Sequence, residues 1–360
     1  MLTWVESVNC VLPLIVGEAS EGVIEPVPLP PWFWVHFILV IILQGNIFEE
    51  LRTNLYLCRR RLRSQGARHG VMITYKKKEK NDVKRINLDD YIQTGEGATA
   101  LTYTSKDGKT LVKLYNLGFE ADRAKEEFLT AQIVFEMGIP TPEPYRLVTD
   151  GERLGGEYEL IKGKRSFARI ILQEPERLEE ISLKFARMTK ELHAVKADTL
   201  RMHSFKQMMV HFYQESELIP NDYRQRVLDF LEKVPESEYC MHGDLQVGNI
   251  ISDGQRNMWI DVGLFSYGVP EWDLGTVYEF SHMTNAKMTD FLFHLTPETL
   301  AAQWDIFLPA YLGTTDPQRI EEANRRIHPF VATKVPFMLT IANRADLILK
   351  TTQRLEKLLD

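Results

Sequence analysis

The chain has 360 residues, enough for two or three lobes with sizeable cores. Its 44% hydrophobic and 26% charged content is that of an ordinary globular protein, and a net charge of -7 argues against nucleic acid as the main partner. The three cysteines, Cys10, Cys58 and Cys240, are too few and too scattered for a disulfide framework or a zinc site, and they fit a reducing, cytoplasmic setting.

Residues 1–71 differ from the rest. Pro26 to Phe48 contains no Asp, Glu, Lys or Arg, Trp32 and Trp34 sit near one end, and Arg52, Arg59, Arg60, Arg61 and Arg63 follow. By the positive-inside rule the segment at 31–48 reads as a single membrane anchor with the catalytic part in the cytoplasm. Against this, Pro26, Pro28, Pro30 and Pro31 leave a clean apolar helix shorter than the roughly 20 residues a bilayer needs. Met72 opens MITYKKKEKND, a suitable start for a lobe by itself, so 1–71 reads equally as an over-long start or as a packed helix.

The next lobe is expected over 72–161. Alternating segments at Ala100–Thr104 and Thr110–Tyr115, joined by Lys106-Asp107-Gly108-Lys109, predict a β-hairpin. Gly95 and Gly97 precede it, small enough to let backbone N–H groups approach phosphates. Lys113, in the middle of LVKLY, is costly among apolar neighbours unless it has a partner. Residues 120–138 predict an amphipathic helix ended by Gly138, Pro140 and Pro142. Tyr158–Ile161 reads as a short strand leading out of the lobe.

The remainder, 162–360, reads as mostly helical. Leu178–His193 carries apolar residues at Ile181, Phe185, Met188 and Leu192, and Met202–Val234 gives further helices. The most informative stretch is Tyr239–Gly263, YCMHGDLQVGNIISDGQRNMWIDVG. Strands at Asn249–Ile251 and Met258–Ile260 flank a polar turn, which sets Asn249 beside Asp261 with Asp244 on the loop entering the hairpin. Phosphoryl transfer asks for this grouping: one carboxylate for the acceptor hydroxyl's proton, and an asparagine and an aspartate to hold Mg²⁺ against nucleotide phosphates.

The pattern HGDLxxxN followed by IDxG resembles the aminoglycoside phosphotransferase/choline kinase family. The resemblance covers about 86–350. It implies an α+β, bilobal protein-kinase-like fold, with a small antiparallel-sheet lobe and a mostly helical large lobe. It implies ATP or GTP as donor, Mg²⁺ as metal and a small hydroxylated molecule as acceptor. In that frame Asp244 is catalytic, Asn249 and Asp261 hold metal, and Lys113 reaches the phosphates beside Gly95 and Gly97. Glu127, thirteen residues before Pro140, pairs with the lysine, with Glu126 as the alternative. The backbone of Glu159 to Ile161 would meet the nucleotide base. His242 is expected to support the loop, Asp273 to cap a helix and brace the loop, and His193 to serve the core. A protein Ser/Thr kinase and a nucleotide-binding sensor with little catalysis are the alternatives. The tail, 281–360, holds nine acidic and nine basic residues, without the acidic surplus a polycationic acceptor favours.

Overall fold

The computed structural model describes residues 83–97, 99–342 and 344–359, all within one compact unit spanning 79–360. The expectations placed on residues 1–71, the apolar segment at 31–48 and the lobe start at 72 lie outside the described residues. Among those described, no helix is long and apolar enough to cross a membrane.

A six-stranded sheet comes first. Its strands are β1 (Lys84–Arg85), β2 (Tyr91–Glu96), β3 (Ala100–Ser105), β4 (Thr110–Tyr115), β5 (Pro144–Thr149) and β6 (Leu154–Glu159), in the spatial order β1-β5-β6-β4-β3-β2. All pairings are antiparallel except that of the two-residue β1, which runs parallel to β5. The β3–β4 turn closes on Asp107, whose carboxylate accepts Ser105 Oγ at 2.7 Å and Lys109 N at 3.1 Å. Gly108 takes φ +67°, a conformation glycine adopts without a Cβ penalty. Val112 and Leu114 point from β4 into a core with Ile86, Tyr103 and Val148. The alternation of β4 leaves Lys113 on the opposite face.

Helix α1 (Ala121–Glu136) crosses between β4 and β5 and buries Ala124, Phe128, Ala131 and Val134, one stripe at helical spacing. It stops at Gly138, φ +76°. The strand predicted at Tyr158–Ile161 begins earlier, at Leu154, and ends at Glu159. The extra residues include Gly155 and Gly156, which carry no apolar signal. Glycine is required at 155 because a Cβ there would lie 2.0 Å from the Lys113 carbonyl oxygen.

The large lobe starts with β7 (Arg165–Ser166) and continues through α2 (Phe167–Gln173), α3 (Leu178–Leu192), α4 (Phe205–Glu215) and α5 (Asn221–Lys233). Strands β8 (Cys240–Met241), β9 (Ile250–Ser252), β10 (Asn257–Trp259) and β11 (Ser266–Tyr267) follow, then α6 (Glu271–His282), α7 (Ala286–Phe293), α8 (Pro297–Leu312), α9 (Pro317–Ile341) and α10 (Ile348–Leu355). One continuous apolar core joins these helices, with Phe185, Phe205, Trp272 and Phe307 at its centre. The 25-residue α9 carries Pro329 and Pro336 internally. Pro336 has no N–H for the carbonyl four residues back, and Tyr223 Oη donates to that oxygen, Ala332 O, at 2.7 Å. Tyr213 Oη serves the neighbouring Thr333 O at 2.6 Å. Tyrosines from α4 and α5 thus satisfy the buried backbone that the proline disturbs.

Candidate active site

In the β9–β10 hairpin the second strand lies one residue earlier than the predicted Met258–Ile260, and the first starts one residue later than the predicted Asn249–Ile251 because Val247–Asn249 is a 3₁₀ turn. Gln246 drives this: its side chain accepts Gly248 N, and its carbonyl accepts Asn249 N at 3.0 Å. The hairpin's base is closed by Ile260 N–H donating to Asn249 O at 2.9 Å. Asn249 therefore stands beside the chain as it enters Asp261. Asp261 takes the left-handed conformation, φ 58° and ψ 46°, uncommon for a residue other than glycine and more frequent at functional turns.

Asn249 gives both amide hydrogens to Asp244, one to its carbonyl oxygen at 2.9 Å and one to its carboxylate at 3.1 Å. This fixes the Asp244 side chain and leaves the amide oxygen of Asn249 as an acceptor. Burial raises the Asp244 pKa, opposed by Lys334 and His242 and reinforced by Asp261. Gly243 holds the loop in place with φ +81°; a Cβ there would lie 2.1 Å from Leu264 O.

Behind the loop lies a hydrogen-bonded scaffold. The buried Asp273 carboxylate accepts His242 N at 2.7 Å and Gly243 N at 2.9 Å, and it meets His193 Nε2 at 3.1 Å. His193 Nδ1 lies 2.9 Å from Tyr311 Oη. His242 Nε2 lies 3.0 Å from Ile260 O, one residue before Asp261. Burial works to raise the Asp273 pKa, but the His193 hydrogen bond and nearby cations win, so the group is held below the usual carboxylate range.

Lys113 Nζ lies 2.6 Å from Asp261 Oδ1 and 3.8 Å from Glu127 Oε2. Burial lowers the Lys113 pKa, yet the two carboxylates outweigh it and leave the ammonium more basic than usual. Asp261 is correspondingly depressed, chiefly by Lys113. Tyr115 Oη donates to Glu127 Oε2, a contact the sequence pattern did not reveal. Gly263 lets α1 approach, since a Cβ there would meet Glu127 Cγ at 2.8 Å. Glu126, the alternative partner for the lysine, is exposed on the other side of α1.

Lys113, Tyr115, Glu127, Asp261 and Gly263 line a cleft of about 400 Å³ that also receives Gly95, Gly97, Glu159 and Ile161. Gly97 N–H is engaged with Ala100 O at 2.9 Å, closing the turn before β3. Glu159 N–H donates to Glu143 O at 2.8 Å, whereas the Ile161 N–H has no hydrogen-bond partner among the described residues. The donors around Asn249 and Asp261 are an amide oxygen and a carboxylate that is 57% exposed, hard oxygen ligands suited to Mg²⁺. Among the described residues no three His, Cys, Asp or Glu side chains gather as a metal cage.

Tyr115 is the site's less legible member, and Lys334 lies outside the cleft lining. Lys334 lies in VATKVPF, a lysine among apolar neighbours, the same signal that singled out Lys113.

A sequence model described as the phosphotransferase enzyme family matches residues 90–320. No curated protein matches the chain. Among solved structures, a thermostable mutant of aminoglycoside phosphotransferase APH(4)-Ia in its apo form is 12% identical, covering 75% of this chain and 94% of its own, with a TM-score of 0.52. A thermostable mutant of the same enzyme in a ternary complex with ADP and hygromycin B is 12% identical, covering 75% and 93%, with a TM-score of 0.51. A choline/ethanolamine kinase family protein from Mesorhizobium loti is 15% identical over 75% and 88%, with a TM-score of 0.48. At these identities the likeness to the two APH(4)-Ia structures is one of fold.

Proposed function

The chain belongs to the phosphotransferase enzyme family, and from that premise we propose that it is a small-molecule kinase, moving the γ-phosphate of ATP or GTP to a hydroxyl of its acceptor. The observation that carries this reading is that Lys113, Glu127 and Asp261 meet on one cleft from β4, α1 and the end of the β9–β10 hairpin, while Asn249 at the base of that hairpin is hydrogen-bonded to Asp244.

In this reading the nucleotide base lies against the Glu159–Ile161 backbone, where the Ile161 N–H is open to it. Its phosphates pass Gly95 and Gly97 towards Lys113. Glu127 and Tyr115 keep the lysine on the cleft side. Asn249 Oδ1 and the Asp261 carboxylate would hold Mg²⁺, which would neutralise phosphate charge. Asp244 faces the acceptor. The acceptor oxygen forms a bond to the γ-phosphorus as the bond to the β-bridging oxygen breaks, the hydroxyl proton passes to Asp244, and the nucleoside diphosphate leaves. Positioning and charge neutralisation supply most of the rate, so Asp244 need not be a strong base.

The test is nucleotide consumption by the full chain with Mg-ATP and Mg-GTP against aminoglycosides, amino alcohols, sugars and nucleosides. We expect acceptor-dependent turnover with at least one class, lost in Asp244→Ala. Tight nucleotide binding with no turnover on small molecules, and phosphate transfer to protein serine or threonine instead, would replace this reading.

A further inference from the structure

Lys334 is 2% exposed, yet it makes no direct ion pair among the described residues. Its ammonium group rests on α6, donating to Trp272 O at 3.3 Å and to Thr276 Oγ1, with the Phe205 ring 5.3 Å away. These two acceptors flank Asp273 in the first turns of α6. Asp273 is the carboxylate that takes the His242 and Gly243 N–H groups, immediately before Asp244. Burial is the largest influence on the amine and lowers its pKa, against the opposing pull of Asp273, Asp244 and Glu279.

An apolar side chain of the same length would fill this space without the desolvation cost of a buried ammonium. The charge therefore needs a reason other than packing. The α9 backbone just before Lys334 is tied down, since Tyr223 and Tyr213 donate to Ala332 O and Thr333 O.

We infer that Lys334 is a positioning residue, which anchors the first turns of α6 and, through Asp273, holds the His242–Gly243 backbone where Asp244 is needed. The inference rests on the proposed kinase reading for its meaning in turnover, but its structural half is independent of it. The experiment is backbone amide exchange on the full chain, comparing the parent with Lys334→Met, together with thermal midpoints. We expect the midpoint to hold or rise while the His242 and Gly243 amides exchange at least tenfold faster, with α3 and α8 unchanged. Thr276→Val, which removes one acceptor of the amine, should shift the same two amides in the same direction by less. With an acceptor in hand, kcat for Lys334→Met should fall about a hundredfold with the nucleotide KM within threefold. Unchanged exchange at His242 and Gly243 would overturn the inference. So would unfolding, or a loss of protection spread evenly over the large lobe, since the amine would then be a structural element only. Absence of turnover in the parent would count against the kinase reading alone, leaving the exchange result to stand.

Discussion

Lys113 Nζ and Asp261 Oδ1 stand 2.6 Å apart although 148 residues separate them in the chain. The pair ties the small-lobe sheet to the end of the β9–β10 hairpin, and both partners line the cleft. If Asp261 holds Mg²⁺, Asp261→Ala should lower kcat by at least about a thousandfold and abolish its dependence on Mg²⁺, a loss on the scale of removing a principal electrostatic group. Substantial metal-dependent activity in that variant would reassign the ligand.

The same pair sets a pH expectation. Asp261 is depressed in the fold, so its contribution to stability is present above its unfolded pKa of about 3.9 and is lost as pH falls through the folded value. Lys113 is raised, so its contribution is present below about 10.4 and is lost as pH rises through its higher folded value. The difference in thermal midpoint between the parent and Lys113→Met should therefore be level across about pH 5–9. A difference that varies steeply within that window would mean the pair is not formed as described.

Gly263→Ala places a methyl group against Glu127 Cγ and Cδ, 2.8 and 2.9 Å from the ideal Cβ position. The side chain must move away from Lys113, or α1 must shift. We expect a stability loss of about 1–3 kcal/mol from overpacking and a raised nucleotide KM, read by titration of the Mg-nucleotide.

Tyr115→Phe removes the hydroxyl that donates to Glu127 while preserving the ring stacked on Phe119, 4.4 Å between centroids. One hydrogen bond to a charged group is worth about 1.5–3 kcal/mol. Part of this should appear as roughly a tenfold lower kcat/KM for the nucleotide. Unchanged kinetics would show that Glu127 holds its place without the tyrosine.

Asp273→Ala leaves two buried N–H donors and His193 without their acceptor. The expected cost is about 3–5 kcal/mol, that of breaking a buried charged network from one side, measured by denaturant midpoint. A loss below 1 kcal/mol would mean the loop is held elsewhere.

Local chemistry made much of this legible before the structure. Asp244, Asn249 and Asp261 sit within one short hairpin motif, so their proximity follows from chain connectivity. Lys113 betrayed itself by costing energy where it stood, as an ammonium between apolar strand residues. The helical stripe Ala124, Phe128, Ala131, Val134 likewise shows directly as periodicity. Other features depend on long-range packing and leave no local trace. Gly155 is dictated by the Lys113 carbonyl of the neighbouring strand, so β6 looked shorter than it is. The hairpin's displaced start is set by a side chain, Gln246, turning back on its own loop. Lys334 carried the same signal as Lys113, but in a helix whose two prolines obscured its environment.

Asp244, in the proposed reaction, serves transfer from a nucleotide to an acceptor hydroxyl. The most direct measurement is ³¹P NMR of the full chain with Mg-nucleotide and each acceptor class, for the parent and for Asp244→Ala. We expect a new phosphomonoester resonance with the parent alone, appearing as nucleoside diphosphate forms, while both proteins bind nucleotide equally. The same phosphomonoester formed at the same rate by Asp244→Ala would contradict it.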